Sequence, residues 1–198
     1  MIKAVLFDMD GVLVDSVQAW FKIFNKALKR YGKKEFTFQQ FLNKVWGGPI
    51  ERDAKEYFQI PLEELKGFYF SNFDSIKKEF KLFPNTTDVL KKLKSKEFRL
   101  ALVTNTPKDQ ACRLISYLKI IRYFDVVVGG DEVKNGKPSP DIVVEACRRL
   151  NVDPNEAVMV GDTGADILSC KNAGCTSIGF KIKGDKRIDD LKELLKVI

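Results

Sequence analysis

The 198-residue chain has no histidine. That removes the side chain most often used as a general base near neutral pH, and with it the Ser-His-Asp and Cys-His nucleophile pairs and most zinc sites. Acid-base chemistry must come from carboxylates, Lys or Tyr. Cysteine is sparse: Cys112, Cys147, Cys170 and Cys175 show no C-x-x-C spacing. They are expected to be buried thiols in a reducing cytosol, and no spacing supports a Cys170–Cys175 bridge. No apolar run approaches membrane-spanning length, and neither repeats nor low-complexity tracts occur. The strand-like run at the start leads straight into an acidic motif, so no signal peptide is expected and the cytoplasm is the expected location.

What is present reads as globular. With 44% hydrophobic and 31% charged residues, the chain is long enough for one sizeable core and a small second lobe. A net charge of +7 speeds encounter with anions of any kind. Lys and Arg are interspersed with Asp and Glu throughout, which describes a solvated Lys-rich surface rather than a nucleic-acid stripe. No nucleic-acid or membrane partner is expected.

Ile2 to Phe7 is an apolar run broken only by Lys3, and it stops abruptly at Asp8. Such a run predicts a buried parallel strand ending at a sheet edge, where open α/β sheets bind ligands. Asp10 follows, and Gly11 gives the backbone freedom to turn. Alone, Asp-x-Asp-Gly is often only a turn. Two carboxylates so close repel unless a cation such as Mg2+ or a shared proton relieves them.

Residues 16–82 carry helical signals only. Ser16 is a candidate N-cap for a helix over 17–31 with a Trp20, Phe21, Phe24, Leu28, Tyr31 stripe. Helices over 38–45, 50–58 and 62–80 follow, the first two separated by the breaker Trp46-Gly47-Gly48-Pro49. From residue 83 the pattern alternates. Strands are expected at 99–104, 124–128, 157–160 and 176–180. Helices are expected after Thr86 or Thr87, at 109–118, at 141–150 behind a Ser139 cap, at 165–173 and at 188–197. The predicted fold is therefore α/β: a Rossmann-like, parallel five-stranded sheet core over 1–15 and 83–198 with an inserted all-helical lobe over 16–82. Asp8, Asp10, Thr104, Asn105, Asp162 and Asp166 lie just past strand ends, with Lys137 in a following loop. All are expected to gather along one sheet edge.

Four motifs in this order resemble the haloacid dehalogenase superfamily: Asp8-Met9-Asp10-Gly11-Val12-Leu13-Val14-Asp15-Ser16, Leu102-Val103-Thr104-Asn105, Gly136-Lys137-Pro138-Ser139-Pro140 and Gly161-Asp162-Thr163-Gly164-Ala165-Asp166. The helical insert is similar to the cap of the phosphoglycolate phosphatase and β-phosphoglucomutase branch. The resemblance implies an Mg2+-dependent phosphatase of small phosphorylated metabolites that works through an aspartyl phosphate. Asp8 would be the nucleophile and a metal ligand. Asp10 would protonate the leaving oxygen and then deprotonate water, with its backbone carbonyl on the metal. Thr104 and Lys137 would hold phosphoryl oxygens. Asp162 would complete the metal site, and Asp166 would be a further ligand or an orienting group. Asn105, Gly48 in the Trp46–Pro49 loop, and Arg52 are candidate substrate contacts, Arg52 as a clamp for a carboxylate or second phosphate.

Departures from the family pattern narrow the reading. Val12 stands where these phosphatases often carry Thr, a difference shared with mutase-like members, yet Trp20 stands where those mutases place a His. Asp10 argues against a dehalogenase. Lys22, Lys26 and Lys44 leave a phosphonatase only weakly open. A phosphomutase remains the alternative, and a phospho-accepting switch is the alternative from a different class. Phosphoglycolate is the first substrate to try. The oligomeric state is left open.

Overall fold

A computed structural model describes residues 1–198. The chain opens with β1 (Ala4–Phe7) and β2 (Val14–Asp15). Four helices follow: α1 (Val17–Arg30), α2 (Phe38–Lys44), α3 (Ile50–Asp53, widening to a π turn over Ala54–Phe58) and α4 (Leu62–Ile76). The remainder is β3 (Lys81–Leu82), α5 (Thr86–Ser95), β4 (Arg99–Thr104), α6 (Lys108–Tyr117), β5 (Val126–Gly129), α7 (Asp141–Leu150), β6 (Ala157–Gly161), α8 (Gly164–Ala173), β7 (Thr176–Phe180), β8 (Lys186–Ile188) and α9 (Leu194–Val197).

The main sheet is parallel throughout, in the order β5-β4-β1-β6-β7-β8. β1 is central because all four of its residues are apolar and fully buried, the composition a strand covered on both faces requires. The pleat splits them. Val5 and Phe7 join the larger apolar cluster, which includes Val89, Leu90 and Leu93 of α5. Ala4 and Leu6 join the smaller one, with Ile142, Val143 and Ala146 of α7.

The sheet has six strands where five were expected. The extra one, β8, lies just ahead of the stretch expected to form a closing helix and takes its first residue, Ile188. Ile188 is buried opposite Phe180, and the Asp190 carboxylate accepts the backbone N–H of Lys192. That cap starts the helical turns only at Leu191. Three anticipated hydroxyl caps also differ. The Ser16 hydroxyl donates to the Val14 carbonyl at 3.4 Å and that of Thr86 to the Leu13 carbonyl at 3.3 Å. Ser139 donates to the Asp141 carboxylate at 2.6 Å, and Pro140 takes the cap position. The first two tie down the far end of the loop carrying Asp8 and Asp10, at Leu13 and Val14.

Helices α1–α4 lie between β2 and β3, which pair antiparallel, Val14 with Leu82 and Asp15 with Lys81. The insert thus joins the core through a two-stranded ribbon. Its interior is aromatic: the Phe24 ring meets those of Phe36, Phe41, Tyr57 and Phe58. No helix is long and apolar enough to cross a membrane. All four cysteines are free, and the Cys175 thiol donates to the Ala157 carbonyl at 3.2 Å.

Candidate active site

β1, β4 and β6 end side by side, and their parallel register delivers the side chains that follow them to one edge. Asp8 follows Phe7, Thr104 closes β4, and Asp162 follows Gly161. Lys137 arrives from the loop before α7. Its ammonium is buried and donates to Asp8 Oδ1 at 2.6 Å, to Asp166 Oδ1 at 2.6 Å and to the Val103 carbonyl at 3.2 Å. Asn105 holds that loop in place. Its carboxamide oxygen accepts the Lys137 backbone N–H at 2.8 Å, and its amide donates to the Lys137 carbonyl at 3.0 Å. The same amide reaches the Gly47 carbonyl of the insert at 3.2 Å, linking insert to core above the site.

Asp10 sits between the two regions. Its Oδ1 accepts the indole N–H of Trp20 at 2.6 Å, and its Oδ2 accepts the Thr106 hydroxyl at 3.1 Å. An indole nitrogen only donates, so Oδ1 is fixed as an acceptor. Oδ2, facing a hydroxyl that can reverse its role, is the oxygen free to carry a proton.

Asp8, Asp162 and Asp166 each offer a carboxylate oxygen, all within 4.8 Å of one another. These hard oxygen donors suit Mg2+. A second observation agrees: Asp162 Oδ1 is the one sealed side-chain polar atom of the protein without a hydrogen-bond partner, and a buried bare acceptor is costly unless something is bound there. Gly11 makes room for Asp162. Its φ is +83°, and a Cβ there would stand 2.0 Å from Asp162 Oδ2. The residues therefore fit a divalent cation. Asp166 Oδ2 is already occupied, by the Thr163 hydroxyl at 2.6 Å and the Thr163 N–H at 3.0 Å. Only its Oδ1, shared with Lys137, faces the cluster.

Burial sets the electrostatics. Asp8 is pushed well above the usual carboxylate range by desolvation, with Asp166, Asp162 and Asp10 adding to it, against the pull of Lys137. Asp162 is raised to about 7 by burial and then by Asp166. Asp10 is raised by burial against the donors around it. Burial works to lower Lys137, but the carboxylates of Asp166 and Asp8 outweigh it and the ammonium is held more firmly than usual.

A cavity of about 100 Å³ lies between the edge and the insert. Asp8, Asp10, Thr104, Asn105, Lys137 and Gly48, all expected from sequence, line it. Arg52 does not. Its guanidinium donates to Asp53 Oδ1 and to the Val45 carbonyl, both at 3.0 Å, and it packs so tightly on Gly48 that a Cβ there would lie 2.0 Å from Nη2. Gly47, at φ +76°, would bring a Cβ within 2.9 Å of Thr163, so the loop rests directly on the core.

Several lining residues are not among those expected from sequence. Thr106 lies two positions past a predicted strand end, which is signal enough to have found it. Thr163 sits inside one of the four motifs, but its capping box with Asp166 emerges only from the structure. Asp53, Tyr69 and Gln110 also line the cavity, and nothing in their local sequence announces it.

The chain matches the family model for haloacid dehalogenase-like hydrolase over residues 5–180. It is 35% identical over 184 residues to a phosphorylated carbohydrates phosphatase of Thermotoga maritima, covering 89% of this chain and 84% of that one. It is 34% identical over 177 residues to a phosphoglycolate phosphatase of Aquifex aeolicus, with 87% and 82% covered. Among solved structures it resembles CbbY of Rhodobacter sphaeroides in complex with xylulose-(1,5)bisphosphate, with a TM-score of 0.86, 26% identity, and coverage of 98% and 96% of the two proteins.

Proposed function

Because the chain belongs to the haloacid dehalogenase-like hydrolase family, as one of its phosphatases, we propose that it hydrolyses the monophosphate ester of a small metabolite by way of a phosphoryl group carried on Asp8. The observation that carries this is the shared cavity: Asp8, Asp10, Thr104 and Lys137 line one small enclosure beneath the insert. Relatives named for phosphorylated carbohydrates and for phosphoglycolate support a small substrate. The free thiols support a reducing, cytoplasmic setting.

In this reading an oxygen of Asp8 attacks phosphorus and the leaving oxygen takes a proton from Asp10 Oδ2. Trp20 and Thr106 hold the Asp10 carboxyl at the angle this requires. Asp10, now ionised, draws a proton from water as that water displaces phosphate from Asp8. Lys137 and the Thr104 hydroxyl offset the charge on the phosphoryl oxygens. The Asn105 carboxamide keeps the Lys137 loop from drifting. Mg2+ held by Asp8, Asp162 and the Asp10 carbonyl, with Asp166 beside them, would neutralise charge and polarise the phosphoryl group. The insert limits the access of bulk water while the acyl phosphate exists. Trp20, donating to Asp10 where the mutase-like relatives carry a His, favours hydrolysis over phosphoryl return.

The test is release of inorganic phosphate from a panel of phosphate esters with Mg2+. Turnover that disappears with EDTA and returns with added Mg2+ is expected. Failure to release phosphate from any ester would refute the reading.

A further inference from the structure

Asp8 and Lys137 are buried, and the insert above them is joined to the core by strands of two residues each. Away from that ribbon, insert and core meet along a seam between α4 and α6. Residues 66, 70 and 74 fall on one face of α4, with Lys77 just past its end, and residues 110, 113 and 117 fall on one face of α6. The two faces pair turn by turn. The Gln110 amide donates to the Lys66 carbonyl at 3.1 Å, and the Lys66 ammonium lies 3.5 Å from Asp131 Oδ2. The Arg113 guanidinium donates to the Phe70 carbonyl at 3.0 Å and to Asp74 Oδ2 at 2.8 Å. Its Cζ stands 4.6 Å and 4.7 Å from the ring centroids of Phe70 and Phe73. The Lys77 ammonium lies 5.9 Å from the centroid of Tyr117.

Contacts of this kind suit a joint that parts and re-forms. Phe70 is already 46% exposed, so separating the helices there uncovers little new apolar surface, and polar groups that lose each other regain hydrogen bonds to water. Arg113 engages the insert in three ways at once, through a carbonyl, a carboxylate and two ring faces. We infer that Arg113 is the latch by which the core holds the insert down, with the rings of Phe70 and Phe73 and the Asp74 carboxylate as its seat. A latched insert keeps the Trp20 indole on Asp10 and the Gly47 carbonyl on the Asn105 amide. Arg113 is thus a positioning residue, acting on the site through the placement of the insert. When it lets go, α4 lifts from α6 about the β2–β3 ribbon and the cavity opens. Lysine at this position would not replace it, because an ammonium cannot lie flat on the rings while bonding both oxygens.

The test needs no substrate, so its outcome is independent of the phosphatase reading. Val45 is buried and lines the cavity from the insert side. Val45→Cys places a thiol of similar size there, which a maleimide too bulky for the cavity meets only when the insert lifts. With opening fast relative to labelling, the labelling rate measures the open fraction. Adding Arg113→Ala is expected to raise that rate roughly tenfold, through the loss of two ring contacts and an exposed ion pair. Arg113→Lys raises it by less. Salt at about 0.5 M raises it more with Arg113 present than with Arg113→Ala. Arg122→Ala, which strips a guanidinium from the neighbouring Tyr123 within the core, leaves it as it was. Mapping the labelled peptides by mass separates position 45 from the four native cysteines, of which the buried Cys147 reports unfolding of the core. Labelling at position 45 that Arg113→Ala fails to speed, or speeds no more than at Cys147 or no more than Arg122→Ala does, overturns the inference.

Discussion

The sheet edge and the inner face of the helical insert enclose one cavity but are built in opposite ways. At the edge, four carboxylates gather around a single lysine, and its contacts with Asp8 and Asp166 are short and buried. On the insert side the wall is largely aromatic, and its one ion pair, Arg52–Asp53, is internal to the insert. The edge is over-supplied with negative charge and calls for a cation and a phosphoryl group. The insert side of the cavity has no cationic side chain lining it, and in the proposed reading it sorts what is attached to the phosphate. In the proposed reading, chemistry and selectivity separate along the boundary between core and insert.

If that division holds, changes at the edge abolish turnover for every ester, whereas changes in the insert re-rank esters or alter stability. The largest effect is expected for Asp8→Asn, which keeps the shape of the side chain and removes the proposed nucleophile. Phosphate release should fall by on the order of a thousandfold or more on all substrates, with the circular dichroism spectrum retained. Retained turnover on any one ester would break the comparison.

Lys137→Met comes next. It leaves Asp8 and Asp166 buried without their cation, and removing one partner of a buried pair costs about 3–5 kcal/mol. Urea unfolding should report a loss of that size, and Mg2+ should narrow it by taking over the carboxylates. An unchanged midpoint would mean that the ion pair is not what holds the edge together.

Asp53 tests the insert by pH. Burial, against the pull of Arg52, raises its carboxyl from 3.8 to about 7. The folded protein holds this proton more tightly than the unfolded chain does. Stability from this group is therefore full below about pH 4, falls as pH rises toward about 7 and is flat above, by at most roughly 4 kcal/mol. Subtracting the urea stability of Asp53→Asn from that of the parent at each pH should reveal that decline, and a flat difference would contradict it.

The smallest effect is expected at the seam. Trp20→Phe keeps the ring packed near Tyr69 and Phe80 and deletes the donor to Asp10. A hydrogen bond to a charged group is worth about 1.5–3 kcal/mol, so kcat should drop roughly ten- to a hundredfold with little change in KM. A rise in KM alone would assign Trp20 to the substrate side of the boundary.

The two regions also differ in how far they can be read from sequence. The edge is legible because the residues that converge there follow apolar runs whose ends the pattern marks: Phe7 before Asp8, Val103 before Thr104, Gly161 before Asp162. A parallel sheet then does the assembling. Short elements are not legible. β8 covers three residues, and its placement depends on pairing with β7 and on the Asp190 cap, both of which run against the amphipathic pattern over 188–197. The insert wall is hidden for another reason. Arg52 and Asp53 are sequence neighbours whose charges look like surface, and only packing decides that the arginine turns to the Val45 carbonyl while the aspartate lines the cavity. Tyr69 likewise belongs to an ordinary apolar stripe until the helices are docked.

The claim underlying all of this is that the phosphoryl group rests for a time on Asp8. Mixing enzyme with a turned-over ester labelled in its phosphoryl group, quenching in acid within the first turnover and mapping the peptides tests it directly. The account predicts label on the peptide containing Asp8, removable by hydroxylamine and absent from Asp8→Asn. Phosphate released at the full rate with no peptide ever labelled would contradict it.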